Sequence, residues 1–288
     1  HVSQGALIDE IVQILSGRSH ELPDPVQYRD FVAYSLAHAD DAAAEAYFGG
    51  LLGDVEEPTA PFGLLDVRGD GRGIRETSLA LHDELASGVR ETARMLNVSP
   101  AVLFHVAFGL LLAKCGGHDD VVFGSVFSGR MGDVAGAERM QGMFINTLPV
   151  RLKLAGQGVA EAVRSTRQTL AGLLAHEQTP LAVAQRCSGV PGDLPLFSAI
   201  LNYRHSTANV TPDLQTGAGI AVIAVQERTN YPLTLSVDDL GTGFSVRVQI
   251  LAEAKERADR VAHYLLRAMD QMVGALQHEP DRALLALT

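Results

Sequence analysis

Histidine side chains are the first candidates for chemistry, because the imidazole group exchanges protons near neutral pH. The chain has ten histidines, and no two of them are adjacent. His105 lies within an apolar helical segment, which favours a buried histidine bonded to a neighbour. His176 follows a predicted helix and His205 ends a predicted strand, and the sequence shows no serine or carboxylate partner for either. The pattern therefore predicts neither a catalytic triad nor a general-base pair.

The segment MFINTLPVRL (143–152) places polar side chains in an otherwise apolar strand. Asn146 and Thr147 lie at its centre and Arg151 near its end. A buried polar group without a hydrogen-bond partner costs about 1–3 kcal/mol, so these side chains either bond to local backbone groups or line a site. Pro149 removes a backbone donor and predicts an edge or bulged strand.

Polar residues also interrupt other apolar segments of the chain. Asn202 lies in LPLFSAILNYR (194–204), Tyr231 in NYPLTLSV (230–237) and His176 in HEQTPLAV (176–183). Several such residues meeting in one fold would indicate a lined channel. Each one alone is more often a residue that satisfies local backbone groups.

The sequence lacks the usual signatures of cofactor and metal sites. It has no GxGxxG after a strand, no GxxxxGK, no HExxH and no GxSxG, and its two cysteines, Cys115 and Cys187, form no CxxC. We therefore predict no bound cofactor and no metal. The cysteine usage fits a reducing compartment, so we expect a cytoplasmic protein.

The overall charge limits the classes of partner. Lys and Arg total 23 against 34 Asp and Glu, which gives a formal net charge of −11 and argues against nucleic acid or an anionic membrane as partner. The most apolar run, residues 101–113, is too short to span a bilayer and predicts a buried helix.

The order of helical and strand patterns predicts the fold class. Strands alternate with helices through much of the chain, and three strand patterns follow one another at 219–227, 231–239 and 243–251. This order predicts an α/β fold, a two-layer sandwich in which helices pack on a mixed sheet. Residues 53–75, with five glycines and two prolines, predict a connector with little order of its own.

Taken in order, the motifs resemble those of the condensation domains of nonribosomal peptide synthetases, which join two carrier-tethered aminoacyl groups through an amide bond. YRDFVAYSL (28–36) resembles the family's Y-x-D-[FY]-x-x-[WY] motif. MFINTLPVR (143–151) resembles G-x-F-V-N-T-L-x-x-R, although Met143 occupies the middle position and Ile145 replaces valine.

Three further segments continue the resemblance. HEQTPL (176–181) is similar to H-Q-D-x-P-F, with Glu177 and Gln178 in place of Gln-Asp and Leu181 in place of Phe. LPLFSAILNYRHS (194–206) and the NYPL segment at 230 are similar to two later strands of the family. The five motifs occur in the family's order and together cover most of the chain.

The resemblance implies a chloramphenicol-acetyltransferase-like fold and a domain of two such halves, with the active site between them. In the family a catalytic HHxxxDG motif directly precedes a helix like SQGALIDEIVQIL (3–15). We therefore expect that motif and the N-terminal half to lie outside this sequence. Residues 1–52 would be hinge helices, 53–75 a connector, 76–278 the C-terminal subdomain and 279–288 the start of a linker to the next module.

The resemblance also implies roles for the polar residues. Arg151 matches the motif arginine and would pair with the aspartate of the absent HHxxxDG motif, since a guanidinium orients but does not act as a base. The other motif residues would line the substrate tunnel or support it: Asn146, Thr147, Asn202, Tyr231 and His176. The implied partners are upstream and downstream peptidyl carrier proteins with their phosphopantetheine arms, the N-terminal condensation subdomain and an adjacent adenylation domain.

Two interpretations of the function remain open. The first is the C-terminal half of an amide-forming condensation domain, inactive alone. The alternative is a non-catalytic module of the same fold that recruits carrier proteins or tailoring enzymes. A coenzyme A-dependent acyltransferase of the same superfamily is a third, weaker interpretation.

Overall fold

A computed structural model describes residues 2–37, 41–130, 136–137, 139–205, 227–254 and 256–287, without the side chains of residues 2–4 and 41. The α-helices of these ranges are α1 (Val2–Leu15), α2 (Tyr28–Ala37), α3 (Asp41–Leu52), α4 (Asp83–Met95), α5 (Pro100–Gly116), α6 (Val159–Leu174), α7 (Leu181–Arg186) and α8 (Ala258–His278). The strands are β1 (Ile74–Ala80), β2 (Asp120–Phe127), β3 (Asn146–Lys153), β4 (Ala199–His205), β5 (Leu233–Asp239) and β6 (Phe244–Leu251).

The strands form one mixed sheet in the order β1-β6-β5-β4-β2-β3. β4 is parallel to both β2 and β5, and the other neighbouring pairs are antiparallel. β3 is an edge strand, which confirms the prediction from Pro149. The predicted strand at 219–227 lies outside the described residues up to 226.

α5 is the central helix because its sequence is apolar on every side. Every residue from Val102 to Ala113 is buried. Pro100 occupies the first turn, where its missing donor costs nothing, and Gly117 ends the helix with a φ of 73°. Phe108 packs edge-on against Phe123 of β2 at 5.1 Å between ring centroids, so α5 lies directly on the sheet.

The helical layer is completed by α4, α6 and α8, which pack around α5 on the same face of the sheet. α8 buries its predicted apolar stripe of Val261, Leu265, Met269, Met272 and Leu276. The predicted two-layer α/β sandwich with a mixed sheet is confirmed. Among the described helices none is long and apolar enough on its own to cross a membrane, although α4 and α5 together, bent by 110°, meet the requirement of length and composition.

The two faces of the sheet differ in chemistry. One face carries apolar residues such as Phe123 and lies under α5. The opposite face is polar along β4, β5 and β6, where Arg204 and Asp238 pair across neighbouring strands at 2.8 Å and Gln249 donates to Glu76 of β1 at 3.1 Å. Alternation along each strand produces this division.

The connector and the C-terminal tail are more ordered than the sequence predicted. Thr59 exchanges backbone hydrogen bonds with residues 196 and 198, and its hydroxyl accepts from the N–H of Val122 at 2.8 Å. The connector is therefore fastened across the ends of β2 and β4. In the tail, Leu284 and Leu287 are buried, so packing continues past the predicted boundary at residue 278.

Candidate functional site

Three of the five sequence motifs meet, together with the turn after β2, where β2 ends and β3 begins. The region consists of α2, residues 128–130, residues 140–147 and residues 176–180, and we refer to it as the motif junction. Although 143 residues separate Ser35 from Gln178 in the sequence, hydrogen bonds and ring contacts join these segments in the fold.

An aromatic cluster holds α2 to this junction. Tyr28 and Phe31 of α2 lie against Phe144, with ring centroids 5.2 and 4.3 Å apart, and Phe31 and Phe144 are buried. The Tyr28 hydroxyl donates to the carbonyl of Met143. The guanidinium of Arg130 lies 3.8 Å from the centre of the Phe144 ring and donates to the carbonyl of Met140 at 3.2 Å.

Asn146 fastens the turn at 176–180 to the start of β3. Its amide nitrogen donates to the carbonyls of Glu177 and Thr179 at 2.8 and 2.7 Å, and its amide oxygen accepts from the N–H of Thr147 at 2.9 Å. Both amide donors are used on backbone carbonyls. Of the two alternatives for Asn146, the geometry therefore favours support of the local backbone.

Arg151 has two carboxylate partners within the chain, Asp120 and Asp54, while the pairing with an aspartate of the HHxxxDG motif stays a prediction. Its Nε and Nη2 atoms donate to the Asp120 carboxylate at 2.9 and 2.6 Å. Its Nη1 and Nη2 atoms donate to Asp54, and Nη1 also donates to the carbonyl of Leu51 at 2.9 Å. All five guanidinium donors are thereby used.

Arg151 is buried, whereas the two carboxylates that it binds, Asp54 and Asp120, are exposed. The Arg151 side chain is 5% exposed, whereas those of Asp54 and Asp120 are 63% and 40% exposed. The hydrogen bond to Asp120 raises the pKa of Arg151, and the bond from Arg151 holds the pKa of Asp54 well below its usual range. These contacts tie β3 to the start of β2 and the end of α3.

Asn146 and Arg151 do not share one cleft. They are five residues apart on β3, so their side chains leave opposite faces of the sheet and their backbones lie about 16 Å apart. Thr147 shares the face of Arg151, pairs with Val126 of β2 and lies beside Gly124. Asn146 and Arg151 therefore act at different places, and a tunnel-lining role for Asn146 or Thr147 stays a prediction.

The remaining motif residues occupy separate places. His176 stacks on the ring of Tyr47 in α3 at 4.5 Å between centroids. Tyr231 stacks on Phe197 at 5.9 Å, and burial raises the pKa of its hydroxyl. Asn202 lies on the polar face of the sheet, level with Ser236 of β5. Of these three residues, only His176 belongs to the motif junction, where it begins the turn that Asn146 holds.

His105 is buried, as the sequence predicted. Its Nδ1 atom lies 2.7 Å from the carbonyl of Ala101 and its Nε2 atom 2.8 Å from the Ser125 hydroxyl. Because a carbonyl only accepts, Nδ1 carries the proton and Nε2 accepts from Ser125. Burial lowers the pKa of His105 to about 4. The ring is enclosed between α5 and β2 and has no access to a substrate.

His205 lies near a buried carboxylate but does not form a catalytic pair with it. Its Nδ1 atom is 3.5 Å from Asp239, and its side chain is 78% exposed. The Asp239 carboxylate already accepts from Arg90 at 2.6 Å, Tyr203 at 2.7 Å and the N–H of Gly241 at 3.0 Å. Although burial acts to raise the pKa of Asp239, these donors leave it lowered, and the carboxylate fastens the β5–β6 turn to α4.

Two cavities in the described part of the chain lie away from the motif junction. A groove of about 710 Å³ runs between α4 and the end of α8, and a pocket of about 230 Å³ is lined by residues that include His118 and Asp120. None of the six predicted motif residues lines either one. Within the described ranges, no three His, Cys, Asp or Glu side chains are placed to hold a metal ion.

Comparison with known families decides the membership of the chain. The sequence model of the family described as Condensation domain matches residues 1–286. The chain belongs to the condensation-domain family. This match covers nearly the whole sequence, including all five motifs, and confirms the resemblance to the condensation domains of nonribosomal peptide synthetases.

Relatives among characterised proteins are large synthetases. The chain is 41% identical over 281 residues to malpibaldin synthetase and 40% identical over 271 residues to malpinin synthetase, both of Mortierella alpina. These alignments cover 98% and 94% of this chain, but only 5% and 3% of those proteins. The chain therefore spans about a twentieth or less of the length of these relatives.

Solved condensation domains share the fold. The crystal structure of the first condensation domain of the CDA synthetase superposes with a TM-score of 0.74 at 18% identity. The superposition covers all of this chain and 64% of that one. The sheet and its helical layer thus have the chloramphenicol-acetyltransferase-like architecture that the resemblance implied.

Sequence reasoning missed several residues that hold the condensation fold together here. Asp54 lies in the segment that was predicted as a connector, and Asp120 received no role. If β2 and β3 had been paired as a hairpin, Asp120 would have been placed opposite Lys153, two residues from Arg151. Gln178 and Ser35, which bridge α2 to the turn after β2, carried no signal beyond their place in motifs.

Proposed function

We propose that the chain is the C-terminal half of a condensation domain that joins a carrier-tethered acyl or peptidyl donor to a carrier-tethered aminoacyl acceptor. The acceptor amine attacks the thioester carbonyl of the donor. A C–N bond forms, the C–S bond breaks, and the donor's phosphopantetheine thiol leaves as the amine gives up a proton. Holding both thioesters in one tunnel would supply most of the rate enhancement through proximity.

The observation that supports this proposal most strongly is the match of the Condensation family to residues 1–286, combined with superposition on 64% of a solved condensation domain. We propose that the remaining part of such a domain carries the group that handles the proton. His105 is enclosed, His176 is stacked on Tyr47, and His205 lies beside a carboxylate that other donors occupy.

Exposed apolar side chains on the leading helices support a second half that packs against this one. On α1 they follow helical spacing along one side, and α2 adds two more; they are Leu7, Ile11, Ile14, Leu15, Val32 and Leu36. Covering such a stripe is favourable by about 25 cal/mol for each Å² of apolar surface removed from water. We propose the N-terminal half of the condensation domain as the cover.

The wider assignment follows from the same proposal. Residues 1–52 would be the hinge helices, 53–75 the connector, 76–278 the C-terminal subdomain and 279–288 the start of the linker to the next module. Carrier proteins upstream and downstream would present phosphopantetheine arms, and an adenylation domain would be adjacent. We propose a cytoplasmic location and no nucleic-acid or membrane partner.

The complete condensation domain is expected to form a dipeptide. The domain would be produced with its preceding segment and mixed with one carrier loaded with an aminoacyl donor and another loaded with an aminoacyl acceptor. Mass spectrometry of the acceptor carrier should show the mass of the dipeptidyl thioester, and an unloaded acceptor carrier should show none. Binding of both carriers without any product would instead identify a recruiting module.

A further inference from the structure

We propose that Gln178 is a positioning residue, whose side-chain amide fastens α2 to the turn that follows β2. It thereby sets the direction in which α2, which we refer to as the arm, lies against the ends of β2 and β3. The effect on catalysis rests on the proposed function, whereas the effect on the position of α2 does not.

The bridge uses both ends of one amide group. The Ser35 hydroxyl of α2 donates to Oε1 of Gln178 at 3.1 Å, and Nε2 of Gln178 donates to the carbonyl of Gly129 at 3.1 Å. Gly129 is buried, with a φ of 65°, and a Cβ there would collide with the carbonyl of Phe144. The receiving carbonyl therefore has little room to move.

The chemistry of the bridge requires an amide. A carboxylate at position 178 would accept from Ser35 but has no proton to donate to the Gly129 carbonyl. The motif that this segment resembles has an aspartate at the corresponding place, so the bridge is a feature of this chain's own residue. A glutamate of equal length would place a negative charge against a carbonyl oxygen.

The backbone on both sides of Gln178 is held in place by Asn146. Asn146 donates to the carbonyls of the residues on either side of it, Glu177 and Thr179. The turn cannot shift without breaking those bonds. The Gln178 side chain therefore has a fixed place, and its hydrogen bond with Ser35 holds α2 at that place.

A helix that is attached at one point can still change its direction, whereas a helix attached at two points cannot. α2 is attached at two points. Tyr28 holds the first turn of α2 through Phe144 and the Met143 carbonyl. Ser35 lies seven residues later, about 10 Å along the helix axis. The aromatic cluster and the Gln178 bridge therefore fix the two ends of α2 separately.

Hydrogen exchange in the 288-residue chain tests the structural part. Gln178→Glu and Gln178→Met should each make the amides of residues 28–37 exchange about tenfold faster, because loss of such bonds lowers the cost of local opening. Gln185→Glu is the matched control, since Nε2 of Gln185 donates to the carbonyl of Leu194 at 2.7 Å, outside the motif junction. Unchanged exchange in α2, or equal acceleration in α5 and α8, would overturn the proposal.

Steady-state kinetics of the complete condensation domain test the functional part. Gln178→Glu should lower kcat for dipeptide formation about tenfold and leave KM for both loaded carriers within about twofold, because Gln178 positions the arm and does not touch substrate. Gln185→Glu should change neither. An unchanged kcat would refute the effect on catalysis. Absence of product from the unaltered domain would refute the proposed function, and the hydrogen-exchange experiment would then still test whether Gln178 holds α2.

Discussion

Replacing Arg151 by alanine is expected to lower the free energy of unfolding by about 3 kcal/mol. The change removes five donated hydrogen bonds that join β3, the start of β2 and the end of α3. The carboxylates of Asp54 and Asp120 are partly exposed and regain water, which keeps the loss at the lower end of the range for broken buried pairs. Urea unfolding monitored by circular dichroism measures this difference in the free energy of unfolding.

Two further variants separate geometry from charge at this bridge. Arg151→Lys keeps the charge but loses the planar fork, so we expect roughly half of the loss. Arg257→Ala breaks the surface pair with Asp259, whose separation is 2.8 Å, and should cost much less, as exposed pairs do. A stability of Arg151→Ala equal to that of Arg257→Ala would contradict the assigned role.

Acidification is expected to destabilise the protein through His105. Its pKa is about 4 in the folded chain and 6.5 as its ordinary value, because burial disfavours the charged ring. Between these two pH values the unfolded state binds more protons than the folded state, so stability falls as the pH decreases. The loss should reach about 2 kcal/mol between pH 7 and pH 5 and approach about 3 kcal/mol near pH 4.

The contribution of His105 is obtained by comparing the pH dependence of the unfolding free energy of the unaltered chain with that of His105→Gln. Carboxylates also titrate below pH 5, so the unfolding free energy must be measured from pH 8 to pH 4 for the unaltered chain and for His105→Gln. The variant should be less stable at pH 7 and show a shallower dependence between pH 7 and pH 5. Parallel profiles for the two proteins would show that His105 is not held neutral by burial.

Elements whose cause is local were predictable from the sequence. The all-apolar pattern of α5, the stripe of α8 and the edge position of β3 each follow from periodicity or from a single proline. Chloramphenicol-acetyltransferase-like architecture was predictable through the order of motifs. The order in the connector was not, because Thr59 finds its partners on strands that the sequence does not place beside it.

The roles of the polar residues depended on contacts between distant segments. Arg151 was identified as an arginine with a carboxylate partner, but its actual partners lie 97 and 31 residues away. Asn146 had two open roles, and only the position of the turn at 176–180 favours one of them. Gln178 gave no signal, since its partners belong to α2 and to the turn after β2.

The most direct measurement of the central claim is dipeptide formation by the 288 residues alone. With donor and acceptor carriers loaded, the isolated chain should give no product above the uncatalysed rate. Addition of the separately produced N-terminal half should restore product and protect α1 and α2 from hydrogen exchange. Dipeptide formation by the isolated chain would show that the proton-handling group lies within it, and the account would be contradicted.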